Sequence, residues 1–286
     1  MKILKNFRIL SAATGLAAIL ALSACAAPAQ TGDVSDEVPD VTAQGDIRTL
    51  RVATRPTPHA GILRSIVPYL EVEGIFLYIT EFTDFVTQNP ALVGGDFDVN
   101  FFQHVPFMEA FMNDSGAELV HHAYVHIEPL GFHSTVVDYV SDVPSGAVIA
   151  IPVDVTNGAR ALNLLAYLGL LELHEDAGIL ATVHDITSNP LELEILPVDA
   201  SILPVALQDT GFAVINVSIA MQAGLNPSEN AIARETHVDS PYRNILVSRA
   251  DNAGDPAIAA LAYWLNSEIV REFILENYDG NIVPGF

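Results

Sequence analysis

The chain has 286 residues, enough for one large domain or two modest ones with real cores, and 50% of them are hydrophobic, which excludes disorder over most of its length. Acidic residues outnumber basic ones 35 to 12, for a formal net charge of −23; a surface of that sign repels phosphate backbones and anionic headgroups, which argues against nucleic-acid binding. The single cysteine excludes a disulfide within the chain.

Lys2, Lys5 and Arg8 precede an apolar stretch from Ile9 to Leu22, closed by Ser23, Ala24 and Cys25. This is the pattern of an export signal, too short for a comfortable membrane span, with the cysteine where a lipoprotein signal peptidase cuts. Residues 1–24 therefore read as a lipoprotein signal peptide and Cys25 as the lipidation site. Acyl chains there would hold the protein on the extracytoplasmic face of the cell membrane, at ~0.8 kcal/mol per buried methylene. With residues 1–24 set aside, 9 basic residues face 35 acidic ones, a net charge of −26, so attachment falls to lipid rather than to electrostatics. Residues 25–47 are rich in Ala, Pro, Asp and Gly, lack apolar periodicity, and read as a flexible tether.

From Thr49 onward, short β-branched and aromatic runs alternate with helical patterns, the sign of an α/β architecture. Strands are expected over residues 50–54, 75–82 and 98–102, with helices over 58–73, 87–93 and around 106–113. Segments 119–125 and 130–137 read as extended. The pattern then restarts with a strand over 148–151, a helix over 158–171, a loop, a helix near 201–209 and a strand over 212–216. A late strand covers 244–248, and Asp255-Pro256 opens a final helix with Ile258, Leu261, Leu265 and Ile269 on one face. Two strand–helix units separated by extended crossovers suggest two lobes on a hinge: residues 48–128 with 238–286 as lobe 1, and 129–237 as lobe 2.

Ligands of open α/β sheets sit beyond the carboxyl ends of the strands. That rule selects Phe102-Gln103-His104, the turn Thr156-Asn157-Gly158-Ala159-Arg160, Asn216, and the run from Ser240 to Asn244. In V-I-A-I-P-V-D-V-T-N-G-A-R, Thr156 or Asn157 can cap a helix whose first-turn N–H groups face a ligand carboxylate, and Arg160 projects from the same turn. Its guanidinium can take a carboxylate bidentately, each charge-assisted bond worth ~1.5–3 kcal/mol. The competing reading of Arg160 is a pair with a surface acid. Phe102, Phe107 and Phe85 offer aromatic surface beside the imidazole of His104, although periodicity alone assigns such phenylalanines to a core. Asn216 and Asn244 each present a donor and an acceptor, or else serve as cap and turn residues.

His121, His122, His126 and His133, with Glu128, invite a metal reading. Neighbouring strand residues point to opposite faces, and His174-Glu175 lacks the second histidine of a zinc-protease motif, so no metal or other cofactor is expected. No nucleophile elbow, phosphate-binding glycine loop or framed carboxylate pair is present, and the chain does not read as an enzyme.

Taken together, E-F-T-D-F at 81–85, N-F-F-Q-H-V-P-F at 100–107, V-H-I-E-P at 125–129, A-I-P-V-D-V-T-N-G-A-R-A-L at 150–162, A-V-I-N at 213–216 and S-P-Y-R-N at 240–244 resemble the NlpA/MetQ-type methionine-binding lipoproteins, the substrate-binding components of a methionine ABC importer. The resemblance runs from about residue 50 to 286. It implies a two-lobed periplasmic-binding-protein fold of type II, with two hinge crossovers, closing on an amino acid. By the same resemblance Arg160, with Asn157 beside it, holds the ligand's α-carboxylate, and Asn216 and Asn244 bind its head group. The side chain then lies among Phe85, Phe102 and Phe107, near His104. Family members commonly carry tyrosine at the positions of Phe85 and Phe107, and asparagine at Val153, so the side-chain pocket departs from the pattern. The expected partners are methionine, a permease and an ATPase. The alternatives are a binding lipoprotein for another small apolar amino acid, a metal-dependent surface enzyme using His121, His126 and Glu128, and an adhesin, which would leave Arg160 and Asn216 unexplained.

Overall fold

The segment R-T-L-R-V-A-T buries Leu50, Val52 and Ala53 while its two arginines stay out, and it forms the first strand of a parallel sheet core. The computed structural model describes residues 47–238 and 240–286; the signal segment, Cys25 and all but the last residue of the tether lie outside them. Among the described residues no helix is long and apolar enough to cross a membrane.

The first half runs β1 (Arg48–Thr54), α1 (Gly61–Val72), β2 (Ile75–Glu81), α2 (Gln88–Val93), β3 (Val99–His104), α3 (Val105–Ser115) and β4 (Leu119–Ile127). The chain then leaves this sheet for β5 (Gly131–Ser134), β6 (Val148–Pro152), α4 (Val155–Tyr167), the small pair β7 (Glu172–Leu173) and β8 (Ile186–Ser188), and β9 (Glu194–Val198). It continues through α5 (Leu203–Thr210), β10 (Phe212–Ile215), α6 (Val217–Gln222), α7 (Pro227–Asn230) and β11 (Ala231–Arg234). It returns as β12 (Arg243–Arg249), α8 (Pro256–Leu265), α9 (Glu268–Asn277) and β13 (Val283–Pro284).

Two sheets result, of strand order β13-β4-β12-β3-β1-β2 and β11-β5-β10-β6-β9. The chain passes between them twice, through residues 128–130 and 235–242, which makes the molecule a two-lobed periplasmic-binding fold with two crossovers. In the first lobe, Leu50, Val52 and Leu246 of the sheet pack against Ile62 and Ile66 of α1, Ile258 and Leu261 of α8 and Ile274 of α9. The second sheet is covered on both faces, by Leu162 and Leu165 of α4 on one and by Leu203, Leu207 and Ile219 of α5 and α6 on the other. Each such side chain contributes ~1.5–3 kcal/mol of burial free energy.

Three of the differences from expectation have a plain physical cause. The final helix is two helices: α8 ends at Leu265, and the Ser267 hydroxyl accepts Val270 N–H to start α9. Ile269 still packs on the cluster that buries Ile258, Leu261 and Leu265, so the apolar stripe runs across the break and hides it. Strand β9 lies in the segment read as a loop. It carries Pro197 and pairs only with β6, and an edge strand tolerates proline because one side of it makes no ladder. Helix α4 begins at Val155, three residues early, because Asp154 and not Thr156 or Asn157 caps it.

Candidate functional site

Strand β3 ends at His104, whose extended backbone caps α3 while its Nδ1 accepts the Phe107 N–H at 3.2 Å. With Nδ1 as acceptor, the imidazole proton sits on Nε2, which donates to Asn157 Oδ1 at 3.3 Å. Burial first, and then the charge of Arg160, lower the His104 pKa to about 3, so the ring is neutral. The strand is fixed from behind by a closed amide network. Asn89 donates to Gln103 Oε1 at 2.8 Å, Gln103 donates back to Asn89 Oδ1 at 2.7 Å, and Asn100 joins both.

In the facing lobe, the Asp154 carboxylate accepts the Asn157 N–H at 2.9 Å and the Asn157 side-chain amide at 3.1 Å. That cap turns Asn157 Oδ1 toward the interior, where it receives His104 and, at 2.9 Å, the amide of Asn216. Asn216 stands at the end of β10 and N-terminal to α6, and its Oδ1 is buried with no partner. Gly158 is required one position further along α4, since a Cβ there would meet the carbonyl oxygen of Pro152 at 2.8 Å.

Arg160 is 2% exposed. Its Nε and Nη2 donate to the Glu235 carboxylate at 2.6–2.9 Å, and Nη2 also donates to the Glu128 carbonyl at 2.6 Å. The guanidinium thus ties α4 to both crossovers and lies over the Tyr242 ring at 4.3 Å. The alternative of an acid partner is realised, though by a half-buried acid of the second crossover, so Arg160 is not an uncompensated charge.

Asn244 Oδ1, on β12, accepts from His59 Nε2–H at 2.9 Å. His59 and His126 both direct Nε2 at Glu128 Oε1, at 3.5 and 3.0 Å. His126 donates to that oxygen, while His59 gives its Nε2–H to Asn244 and stands beside it. His59, His126 and Glu128 are also the one trio of candidate metal ligands among the described residues. The trio His121, His126 and Glu128 does not assemble, because His121 is exposed and lies against Tyr124 instead. Arg55, also fully buried, lies 4.4 Å from the Phe85 ring centre and donates to the Asp84 carbonyl.

All eight residues singled out in the sequence, Phe85, Phe102, His104, Phe107, Asn157, Arg160, Asn216 and Asn244, line one cavity between the lobes, with Gln103, Glu128 and Ser218. Its walls divide by chemistry. Phe85, Phe102 and Phe107 surround one another with ring centres 5.8–6.5 Å apart, and the amides and ions gather at the other end. Phe85 also packs on the core of the second lobe, so the lobes touch across the cavity. Arg55, His59, Ser218 and Glu235 were missed, and their partners lie tens to nearly two hundred residues away in the chain, where no local pattern reaches.

Two α/β lobes on a double crossover, meeting over a cavity with one ionic and one aromatic end, define a type II substrate-binding protein. The chain belongs to the NlpA lipoprotein family, whose sequence model matches residues 50–286. It is 37% identical to membrane lipoprotein TpN32 of Treponema pallidum over 82% of this chain and 87% of that protein. It is 35% identical to the methionine-binding lipoprotein MetQ of Bacillus subtilis over 85% of this chain and 90% of the relative. A nutrient binding protein from Burkholderia cenocepacia, solved bound to methionine, superposes with a TM-score of 0.80 at 36% identity, covering 83% of this chain and all of that one.

Proposed function

We propose that this protein captures methionine outside the cytoplasm and delivers it to an ABC importer, anchored by lipid on Cys25 and raised from the membrane by residues 25–47. The observation that carries the reading is the division of the interlobe cavity, with Arg160, Asn157, Asn216 and Asn244 at its polar end and three phenylalanines at the other. A methionine carboxylate meets Arg160 and Asn157, and its thioether lies among Phe85, Phe102 and Phe107. Burial of that side chain contributes ~1.5–3 kcal/mol and sulfur–aromatic contact ~0.3–1.5 kcal/mol. Lobe 1, residues 48–128 with 238–286, and lobe 2, residues 129–237, open and close about the crossovers, and the closed form is what a permease with its cytoplasmic ATPase receives. The binding of methionine by relatives at 35–36% identity supports the assignment.

A second reading, another small apolar amino acid, is favoured by one feature: Phe85 and Phe107 lack the tyrosine hydroxyls common in the family, leaving that end of the cavity without polar atoms of their own.

Calorimetry on protein unfolded, dialysed free of ligand and refolded tests both. Saturable one-to-one binding of L- or D-methionine at micromolar strength or tighter is expected. Tighter binding of leucine or valine selects the second reading, and flat titrations with every sulfur-containing and apolar amino acid reject both.

A further inference from the structure

Arg55 stands just beyond the carboxyl end of β1 and has no exposed surface. Its Nη1 donates to the Asp84 carbonyl at 3.1 Å, while Nε and Nη2 have no partner among the described residues, a carboxylate included. Arg160, by contrast, is matched by Glu235. Burial lowers the Arg55 pKa to about 10, against the fields of Glu128 and Asp84, so the guanidinium remains a cation at any physiological pH. Its carbon lies 4.4 Å from the centre of the Phe85 ring, within the range of a cation–π contact. The segment that carries this ring is fixed on both sides. Gln88 Nε2 donates to the same Asp84 carbonyl at 3.2 Å, and the Asp84 carboxylate accepts the Val86 and Thr87 N–H groups at 2.8 and 2.7 Å. Phe85 lines the interlobe cavity and Arg55 does not. A dry, unpaired cation thus meets the aromatic end of the cavity through one ring.

We infer that Arg55 is a positioning residue that sets side-chain specificity through Phe85: it holds the ring in the cavity wall and makes the aromatic end refuse cationic side chains. The inference rests on the amino-acid reading of the cavity and deepens it. Three aromatic rings around one space are otherwise an inviting cage for an ammonium or sulfonium group, because each ring face carries negative potential. A ring already engaged by one cation has less of that potential to offer a second. The acids about the outer side of Phe85 do not restore it. Asp84 is half-buried and committed to backbone N–H groups, Asp154 is half-buried and caps α4, Asp114 is exposed, and water and salt screen all three far more than they screen Arg55. Glu128 belongs to the ionic end, with His126 and the Ser218 N–H on its two oxygens. The class of ligand that fits has a neutral side chain, such as a thioether. Lysine, arginine and sulfonium forms of methionine are refused, however well their head groups match the polar end.

The test is calorimetry on the intact, ligand-free protein with ethionine and S-methylmethionine, which have the same heavy atoms and differ in that the second is a sulfonium cation. A sulfur in contact with the ring sits ~5 Å from its centre, hence up to ~9 Å from a guanidinium carbon that is 4.4 Å behind it. Two unit charges at that separation and the effective dielectric of a protein repel by about 20-fold in affinity, so wild type is expected to prefer ethionine by at least that factor. Arg55→Met, which removes the charge and keeps the length, is expected to cut this preference at least about tenfold, whereas Arg55→Lys, which keeps the charge, holds it within about threefold of wild type. The ratio is the readout that packing alone does not move. If Arg55→Met weakens both ligands by one factor and leaves their ratio unchanged, Arg55 only supports the wall and the inference is overturned. Wild type that binds the two ligands within about threefold of each other overturns it too, with no variant needed, so a variant that fails to fold does not protect it. In both cases the amino-acid reading stands, because ethionine has bound. Should neither methionine nor ethionine give heat, that reading falls as well.

Discussion

At the scale of single residues, the site depends on how few of its polar atoms are idle. Arg160 spends Nε and Nη2 on Glu235 and on the Glu128 carbonyl, leaving Nη1 without a protein partner among the described residues. The planar fork therefore serves two crossovers and still has an edge for a carboxylate. Lysine carries the charge but not the fork. Arg160→Lys is expected to weaken methionine about 100-fold and to lower the thermal midpoint, because the half-buried Glu235 loses its bidentate partner. Affinity within about threefold of wild type would show that the ligand does not use this guanidinium. These roles were unequally legible. His104, Asn157, Arg160 and Asn216 each stand just beyond a strand, where topology says to look. Glu128 was visible only as a candidate metal ligand, since nothing local shows that His59, from the turn before α1, meets it beside His126. Glu235 lies 75 residues from Arg160 in a stretch with no apolar pattern, and only the folded crossover brings the two together.

At the scale of elements, the junction from β6 to α4 does most to shape the site. Pro152 ends the strand, Asp154 caps the helix, and Gly158 lets the first turn approach the strand end closely enough for Asn157 and Arg160 to reach the cavity. Gly158→Ala forces a methyl group to within 2.8 Å of the Pro152 carbonyl, a backbone atom that cannot rotate away. The helix must shift outward, and we expect a loss of ~1–3 kcal/mol in urea unfolding together with weaker ligand binding. Asp154→Ala removes the cap and is expected to cost ~1 kcal/mol. An alanine at 158 that leaves both stability and affinity unchanged would show that the junction is not tightly packed. The sequence announces this turn clearly through V-D-V-T-N-G-A-R, and the strands of continuous apolar character were likewise readable, as with β10, whose four residues are all buried. The less legible elements were those decided by tertiary position. Edge strand β9 is paired on one side only and half-exposed, and the α8–α9 break lies beneath an uninterrupted apolar stripe.

At the scale of the whole molecule, two electrostatic effects oppose each other as the solution is acidified. The chain carries a net charge of −23 and a pI near 4.4, so lowering the pH relieves self-repulsion and favours the folded state. The interior pulls the other way. Burial, as the largest cause, lowers His59 and His104 from 6.5 to about 3 and His133 to about 4, so between pH 6.5 and these values the unfolded chain binds protons that the folded chain refuses. Stability therefore falls as pH falls through that window. Glu128 adds loss of the same sign from its usual 4.5 down to about 2, where its hydrogen bonds from His126 and Ser218 are given up. Surface repulsion is screened over ~8 Å at physiological salt, whereas a buried histidine contributes up to ~1.4 kcal/mol per pH unit, so the interior wins. The urea midpoint at 0.15 M salt is expected to drop between pH 7.5 and 5, by the equivalent of ~2–4 kcal/mol over the unit from pH 6 to 5. His133→Leu removes a side chain whose two ring nitrogens are buried without partners, and should reduce that slope by about a third while leaving ligand affinity at pH 7.5 unchanged. A midpoint that is level or rises toward pH 5 would mean that His59, His104 and His133 accept protons inside the fold.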